Sequence, residues 1–147
     1  MEFSTKVVLI FLLLFFSIQD LKHREIGFLP VVLGILILLP LRLCGVPEER
    51  EILTWMLKLL PGAAYLLTAL WKGDKVGYGD GVCMLLAGIA LWPEELLCGL
   101  LGSLIPLLFV VIFQRRKGIW KKDNLIPYIP VLTAGIILGL LWDSLVI

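Results

Sequence analysis

Two aspartates, Asp20 and Asp80, stand where acidic groups are expensive, each at the edge of a long apolar run. Asp20 closes the run VVLIFLLLFFSIQ, and Asp80 opens the run that ends at Trp92. Two carboxylates a few ångströms apart cannot both ionise cheaply, so they share a proton and titrate as a pair. One can take a proton from water as that water attacks a carbonyl carbon. The other can give a proton to the carbonyl oxygen or to the leaving amine. Peptide-bond hydrolysis by an aspartic pair is the chemistry this permits, and it needs neither metal nor cofactor. Aspartate is also favoured as a helix N-cap, which is the plain structural alternative for Asp80.

Immediately before Asp80 lies Gly77-Tyr78-Gly79, within the only glycine-rich polar segment of the chain, Lys72 to Asp80. Without Cβ atoms, Gly77 and Gly79 let the backbone turn sharply or let another helix or a substrate come close. Irregular backbone at membrane depth is tolerated where it lines a wet cavity or is buried in protein. A wet cavity would also supply the hydrolytic water. Other reactive side chains offer less. His23 is the sole histidine and is expected at the membrane surface. Cys44, Cys83 and Cys98 form no CxxC pair, so neither a zinc site nor a redox motif is signalled. Lys58 is expected to snorkel or to face a polar interior.

The elements that must carry the two aspartates follow from composition. The 147 residues are 60% hydrophobic with a mean hydropathy of +1.01. A soluble domain is typically about 45–50% apolar, and one of this size could not bury so many apolar runs. The expected fold is an all-α membrane protein, a bundle of about six transmembrane helices forming a single integral-membrane domain over residues 1–147. Candidate spans run from about Phe3 to Gln19, Ile26 to Leu43, Ile52 to Trp71, Asp80 to Trp92, Leu96 to Phe113 and Pro127 to Trp142. The N-terminal run is read as a retained helix rather than a cleaved signal peptide, because no small-residue cleavage site follows it. Pro30 falls in the first turns of its helix, where proline is tolerated. Pro40 predicts a kink or an early end, and Pro93-Glu94-Glu95 a turn.

Charge placement sets the orientation. Lys22, Arg24, Lys72, Lys75, Arg115, Arg116, Lys117, Lys121 and Lys122 gather at one set of helix ends. The opposite ends carry the acidic group Glu48, Glu49, Glu51, Glu94 and Glu95. By the positive-inside rule the first set faces the cytoplasm, which puts both termini outside. An even number of spans requires the same. Tryptophans at both predicted boundaries agree with an interfacial belt. The expected location is the inner (cytoplasmic) membrane, with the aspartates towards the cytoplasm and the bilayer as the first partner. A net charge of +1 signals no nucleic-acid partner. Asp80 to Trp92 makes only about 20 Å of helix against a hydrocarbon core of about 30 Å. Asp80 is therefore expected below the inner surface, where a carboxylate is a functional candidate by default.

Gly77-Tyr78-Gly79-Asp80 reads as a GxGD motif at the head of a membrane helix. With Asp20 closing an earlier helix, and Arg24 and Ile26 following it, the chain resembles the type IV prepilin peptidases and archaeal preflagellin peptidases. The order of helices and loops matches over nearly the whole length, and Ile126-Pro127-Tyr128-Ile129-Pro130 resembles the proline-containing start of that family's last helix. The resemblance implies a membrane aspartic endopeptidase with Asp20 and Asp80 as the catalytic pair. Its substrate is a prepilin-like or preflagellin-like protein whose short basic leader is cut at the cytoplasmic face. Two positions depart from the family pattern: Val82 stands where a lysine is frequent, and Gly27 where bacterial members often have proline. Larger members carry a methyltransferase region with paired cysteines ahead of the first helix. The chain starts at helix 1, so peptidase activity without N-methylation is expected. Because the leaders are basic, Glu25, Asp74 and Asp123 are candidate leader contacts. Asp74 is otherwise a solvated loop charge, and the basic stretch Arg115 to Lys122 a topology signal that also meets anionic lipid heads. Presenilin-like enzymes share GxGD, but the third helix here has no aspartate to match theirs. The rival from another class is a small proton- or cation-coupled transporter using Asp20 and Asp80 as ion-binding carboxylates. Such proteins usually show paired repeats and broken helices, and no repeat is visible.

Overall fold

A computed structural model describes residues 2–23, 26–45, 52–72, 77–117 and 128–146. These form six helices and, among the described residues, no strand: α1 (Glu2–His23), α2 (Phe28–Gly45), α3 (Ile52–Lys72), α4 (Tyr78–Ala90), α5 (Pro93–Arg116) and α6 (Tyr128–Val146). Three of them, α1, α3 and α5, contain stretches long and apolar enough to cross a membrane, and α2, α4 and α6 are shorter apolar helices. The protein is an all-helical membrane protein in this sense.

Each expected span is a helix, with boundaries that shift for identifiable reasons. α1 continues through His23, so Asp20 sits in its last turn rather than in a charged turn beyond it. Lys22 and His23 favour that extension by complementing the carbonyl end of the helix. Pro40 does not end α2, which runs on to Gly45. Pro93-Glu94-Glu95, expected as a turn, forms the first turn of α5. Proline has no N–H to lose at that position. Glu95 reaches back to accept a hydrogen bond from the Trp92 backbone N–H at 3.0 Å. The chain reverses instead at Leu91 and Trp92.

The shortest helix is the centre of the bundle. α4 has 13 residues and touches all five other helices. From Cys83 to Ala90 every residue but Leu85 is buried. A helix too short to span lipid alone is thus enclosed by protein. Leu9, Leu13 and Phe16 of α1, Leu38 of α2, Leu86 of α4, and Ile129, Leu132 and Ile136 of α6 form the core around it. The outer faces remain apolar: Phe11, Phe15 and Ile18 of α1 and Leu97, Leu101, Leu104 and Leu108 of α5 are exposed. Helices that are apolar all round suit a lipid solvent.

Lipid offers no hydrophobic drive for one helix to prefer another, so association depends on close packing and polar contacts. Glycines provide the closeness between α3 and α4. A Cβ on Gly88 would lie 2.4 Å from the Lys58 carbonyl oxygen, and one on Gly62 would lie 2.7 Å from the Leu85 nitrogen. The α5–α6 pair uses the same device: a Cβ on Gly135 would lie 2.4 Å from the Ser103 nitrogen.

Polar groups then sort to two opposite ends. At one end Lys6 of α1 pairs with Glu95 of α5. Beside them Arg42 of α2 lies 4.5 Å from the Trp92 ring centre. Lys58 of α3 is fully buried and lies 5.1 Å from the ring centres of both Trp55 and Trp92. Of the two expectations for Lys58, the bundle-facing one is observed. The other end holds the last turn of α1 and the first turn of α4.

Candidate active site

The helical hairpin α3–α4 folds in antiparallel register, with Gly62 against Leu85, Leu66 against Gly81 and Lys58 against Gly88. That register carries Tyr65 to the first turn of α4. Its phenol donates a hydrogen bond to Asp80 Oδ2 at 3.0 Å. Gly77, with φ −68° and ψ 116°, is the N-cap of α4. Asp80 therefore lies inside the first turn, and its side chain accepts from Tyr65 instead of capping the helix.

The two glycines of the motif serve packing rather than unusual backbone angles. A Cβ on Gly77 would lie 3.3 Å from Asp80 Oδ2, the oxygen that Tyr65 holds. A Cβ on Gly79 would lie 2.6 Å from Ile26 Cδ1. The missing Cβ atoms thus give room to the carboxylate on one side and to Ile26 on the other. Ile26 packs against the core cluster just past the end of α1. Its fit against Gly79 ties the α1–α2 junction, and with it Asp20, to the head of α4.

Asp20 is half-buried, with its Oδ2 shielded from solvent. Its neighbour Gln19 lies against Gly27, and Ile26 against Gly79, next to Asp80. Asp20 and Asp80, the residues singled out from sequence, thus stand at the same end of the bundle, one in the last turn of α1 and the other in the first turn of α4. Gln19, next to Asp20, has a buried side-chain oxygen with no hydrogen-bond partner among the described residues.

Behind Tyr65 stands a second tyrosine. The rings of Tyr65 and Tyr128 stack with centroids 6.4 Å apart and planes 14° apart. The Tyr128 hydroxyl is 3.4 Å from the Ser103 hydroxyl of α5. Ser103 is fully buried and donates to the Leu100 carbonyl at 2.6 Å. A chain of ring and hydroxyl contacts thus runs from α5 through α6 and α3 to Asp80.

Other expectations meet the structure differently. Tyr78 is exposed, and its phenol makes no hydrogen bond to either aspartate among the described residues. Glu25, Asp74 and Asp123, the candidate leader contacts, lie outside the described residues, as does the stretch 118–127. Among the described residues, no group of three or more His, Cys, Asp or Glu side chains could hold a metal ion.

Sequence reasoning did not single out Tyr65 and used Tyr128 only as part of a proline-containing segment. A usable signal existed for Tyr65. A buried tyrosine hydroxyl needs a partner, and a hairpin folded about the glycine-rich segment sets residue 65 opposite the residues just after Asp80. No family model, curated protein or solved structure matches the chain.

Proposed function

We propose that the protein is a membrane aspartic endopeptidase that removes the leader of a prepilin-like protein at the cytoplasmic face of the membrane. The observation that carries this proposal is the packing of Ile26, just past the end of α1, against Gly79, the neighbour of Asp80, which sets Asp20 and Asp80, from separate helices, at one end of an apolar bundle. Carboxylates in such a setting are costly, and structural needs account poorly for two of them at one end of the bundle. The fit of Gly77 around Asp80 and of Gly79 around Ile26 gives the GxGD resemblance a physical content.

In the proposed reaction the pair holds one proton. The ionised carboxylate takes a proton from water, whose oxygen adds to the carbonyl carbon of the scissile bond. The protonated carboxylate donates to the carbonyl oxygen. Collapse of the tetrahedral intermediate breaks the C–N bond, and a proton returns to the leaving amine. The released products are the leader's new carboxylate and the mature chain's new amine. In this reading all six helices cross the inner membrane with both termini outside, and the aspartate end faces the cytoplasm. The charge bias of the loops supports that orientation.

The test is co-expression with a prepilin-like substrate, read by loss of the leader on a gel. Asp20→Asn and Asp80→Asn are each expected to abolish cleavage while helix content and detergent melting stay at wild-type values. Persistent cleavage in either variant overturns the assignment. Proton uptake into vesicles by a protein that never cleaves would point to the transporter instead.

A further inference from the structure

We propose that Tyr65 is a positioning residue of the aspartic pair: its phenol fixes Asp80 Oδ2, so that the carboxylate presents Oδ1 to the water and to Asp20. This rests on the endopeptidase proposal above and adds a third residue to it, along with the elements that hold that residue.

A carboxylate on the first turn of a helix can rotate about its side-chain torsions, and both oxygens are chemically alike. The 3.0 Å hydrogen bond from Tyr65 breaks that equivalence. A phenol donating to an ionised carboxylate makes a charge-assisted bond, stronger than one between neutral partners. Gly77 leaves the space in which that bond forms, since a Cβ there would press on the same Oδ2. With one lone pair of Oδ2 taken by the phenol, Oδ1 is the freer oxygen for proton exchange with water.

The phenol is itself held. Stacking on Tyr128 restricts the Tyr65 ring, and Tyr128 is anchored at its hydroxyl by Ser103. Ser103 cannot yield easily, because it lies where α5 and α6 are closest, against Gly135. The α5–α6 pair thus supports the geometry of Asp80 without supplying a reacting group. Among the described residues, Tyr65 from α3 is hydrogen-bonded to the Asp80 carboxylate, and Asp20 from α1 stands at the same end of the bundle. Among these, the phenol is the neutral hydrogen-bond donor that meets the carboxylate.

The experiment uses the full chain in detergent with a prepilin-like substrate and follows initial rates of leader removal. Tyr65→Phe keeps the ring and its stacking and removes only the donor. It is expected to lower kcat about 10- to 100-fold, the range for losing one hydrogen bond to a charged group. KM and the melting temperature stay near wild type. Fluorinated tyrosines placed at position 65 keep the shape and grade the acidity of the phenol, and kcat is expected to follow that acidity. A purely structural role would leave kcat flat across the series. Tyr65→Phe with unchanged kcat, or a flat fluorotyrosine series, overturns the inference while leaving the endopeptidase proposal intact. Absence of cleavage by the wild-type protein overturns that proposal and this one with it.

Discussion

A Cβ atom is the smallest change that tests the candidate site. Gly79→Ala would place a carbon 2.6 Å from Ile26 Cδ1, at the end of a flexible side chain. The fold survives that, but Ile26 must move and the α1–α2 junction with it. A displacement of about 1 Å can cost about 100-fold in rate. Gly79→Ala is therefore expected to lower leader cleavage at least about 10-fold, with a stability loss of about 1 kcal/mol, the low end for overpacking because the neighbour is a flexible side chain. Trimming the neighbour should restore the fit. Gly79→Ala combined with Ile26→Ala is expected to recover much of the lost rate, a non-additive pair in a double-mutant cycle. Equal loss in the double variant would show that the Gly79–Ile26 fit does not position Asp20. At Gly77 the neighbour is Asp80 Oδ2 at 3.3 Å. Gly77→Ala should reduce kcat with little effect on stability, read from the same assay beside the melting curve.

The pairs α3–α4 and α5–α6 are built for contact at backbone distance. Gly88 has no such flexible neighbour as Ile26, because a Cβ there would meet the Lys58 carbonyl oxygen at 2.4 Å. Gly88→Ala must separate the helices and is expected to destabilise by about 1–3 kcal/mol, the usual cost of overpacking a tight interface. Thermal unfolding in detergent measures it. Because Tyr65 reaches Asp80 across the same hairpin, cleavage by the folded fraction should fall as well. Gly62 and Gly81 occupy the same seam, so the register of α3 on α4 is set at three levels, and a slip of one turn would take the glycines from under Leu85 and Leu66 and set bulky residues of the two helices against each other. Helix formation itself was legible in the apolar runs. The register was not, because it depends on which small residue of one helix finds which bulky residue of the other.

For the whole molecule, the two polar ends have different work. Lys6 and Glu95 join α1 to α5 at the end away from the aspartates. Lys6→Met should lower stability by about 1–2 kcal/mol. That is less than the 3–5 typical of a fully buried pair, because the Lys6 side chain keeps 24% of its surface open. The cleavage rate per folded molecule should stay unchanged, since the pair is remote from the site. A change in kcat equal to that of a site variant would contradict this division. Orientation has its own measurement. Cys44 at the end of α2 is exposed and should react with a membrane-impermeant thiol reagent from outside intact cells when Cys98 is replaced by alanine. A cysteine replacing the exposed Lys22 in a chain lacking Cys44 and Cys98 should react only after the membrane is permeabilised. Labelling in the reverse pattern would invert the proposed topology.

Composition and the spacing of apolar runs determined that the chain is helical and lives in lipid, because each run must hydrogen-bond its own backbone there. They also marked Asp20 and Asp80, since a carboxylate beside an apolar run is conspicuous whatever it touches. Tertiary structure alone decided that α4 is the enclosed centre, that Gly79 is shaped to Ile26, and that Tyr65 holds Asp80. It also decided that Lys58 lies buried over two indole rings. Each of these is a meeting between residues distant along the chain. Local periodicity fixes which way a side chain leaves its own helix, whereas the partner it meets depends on helix order, separation and register.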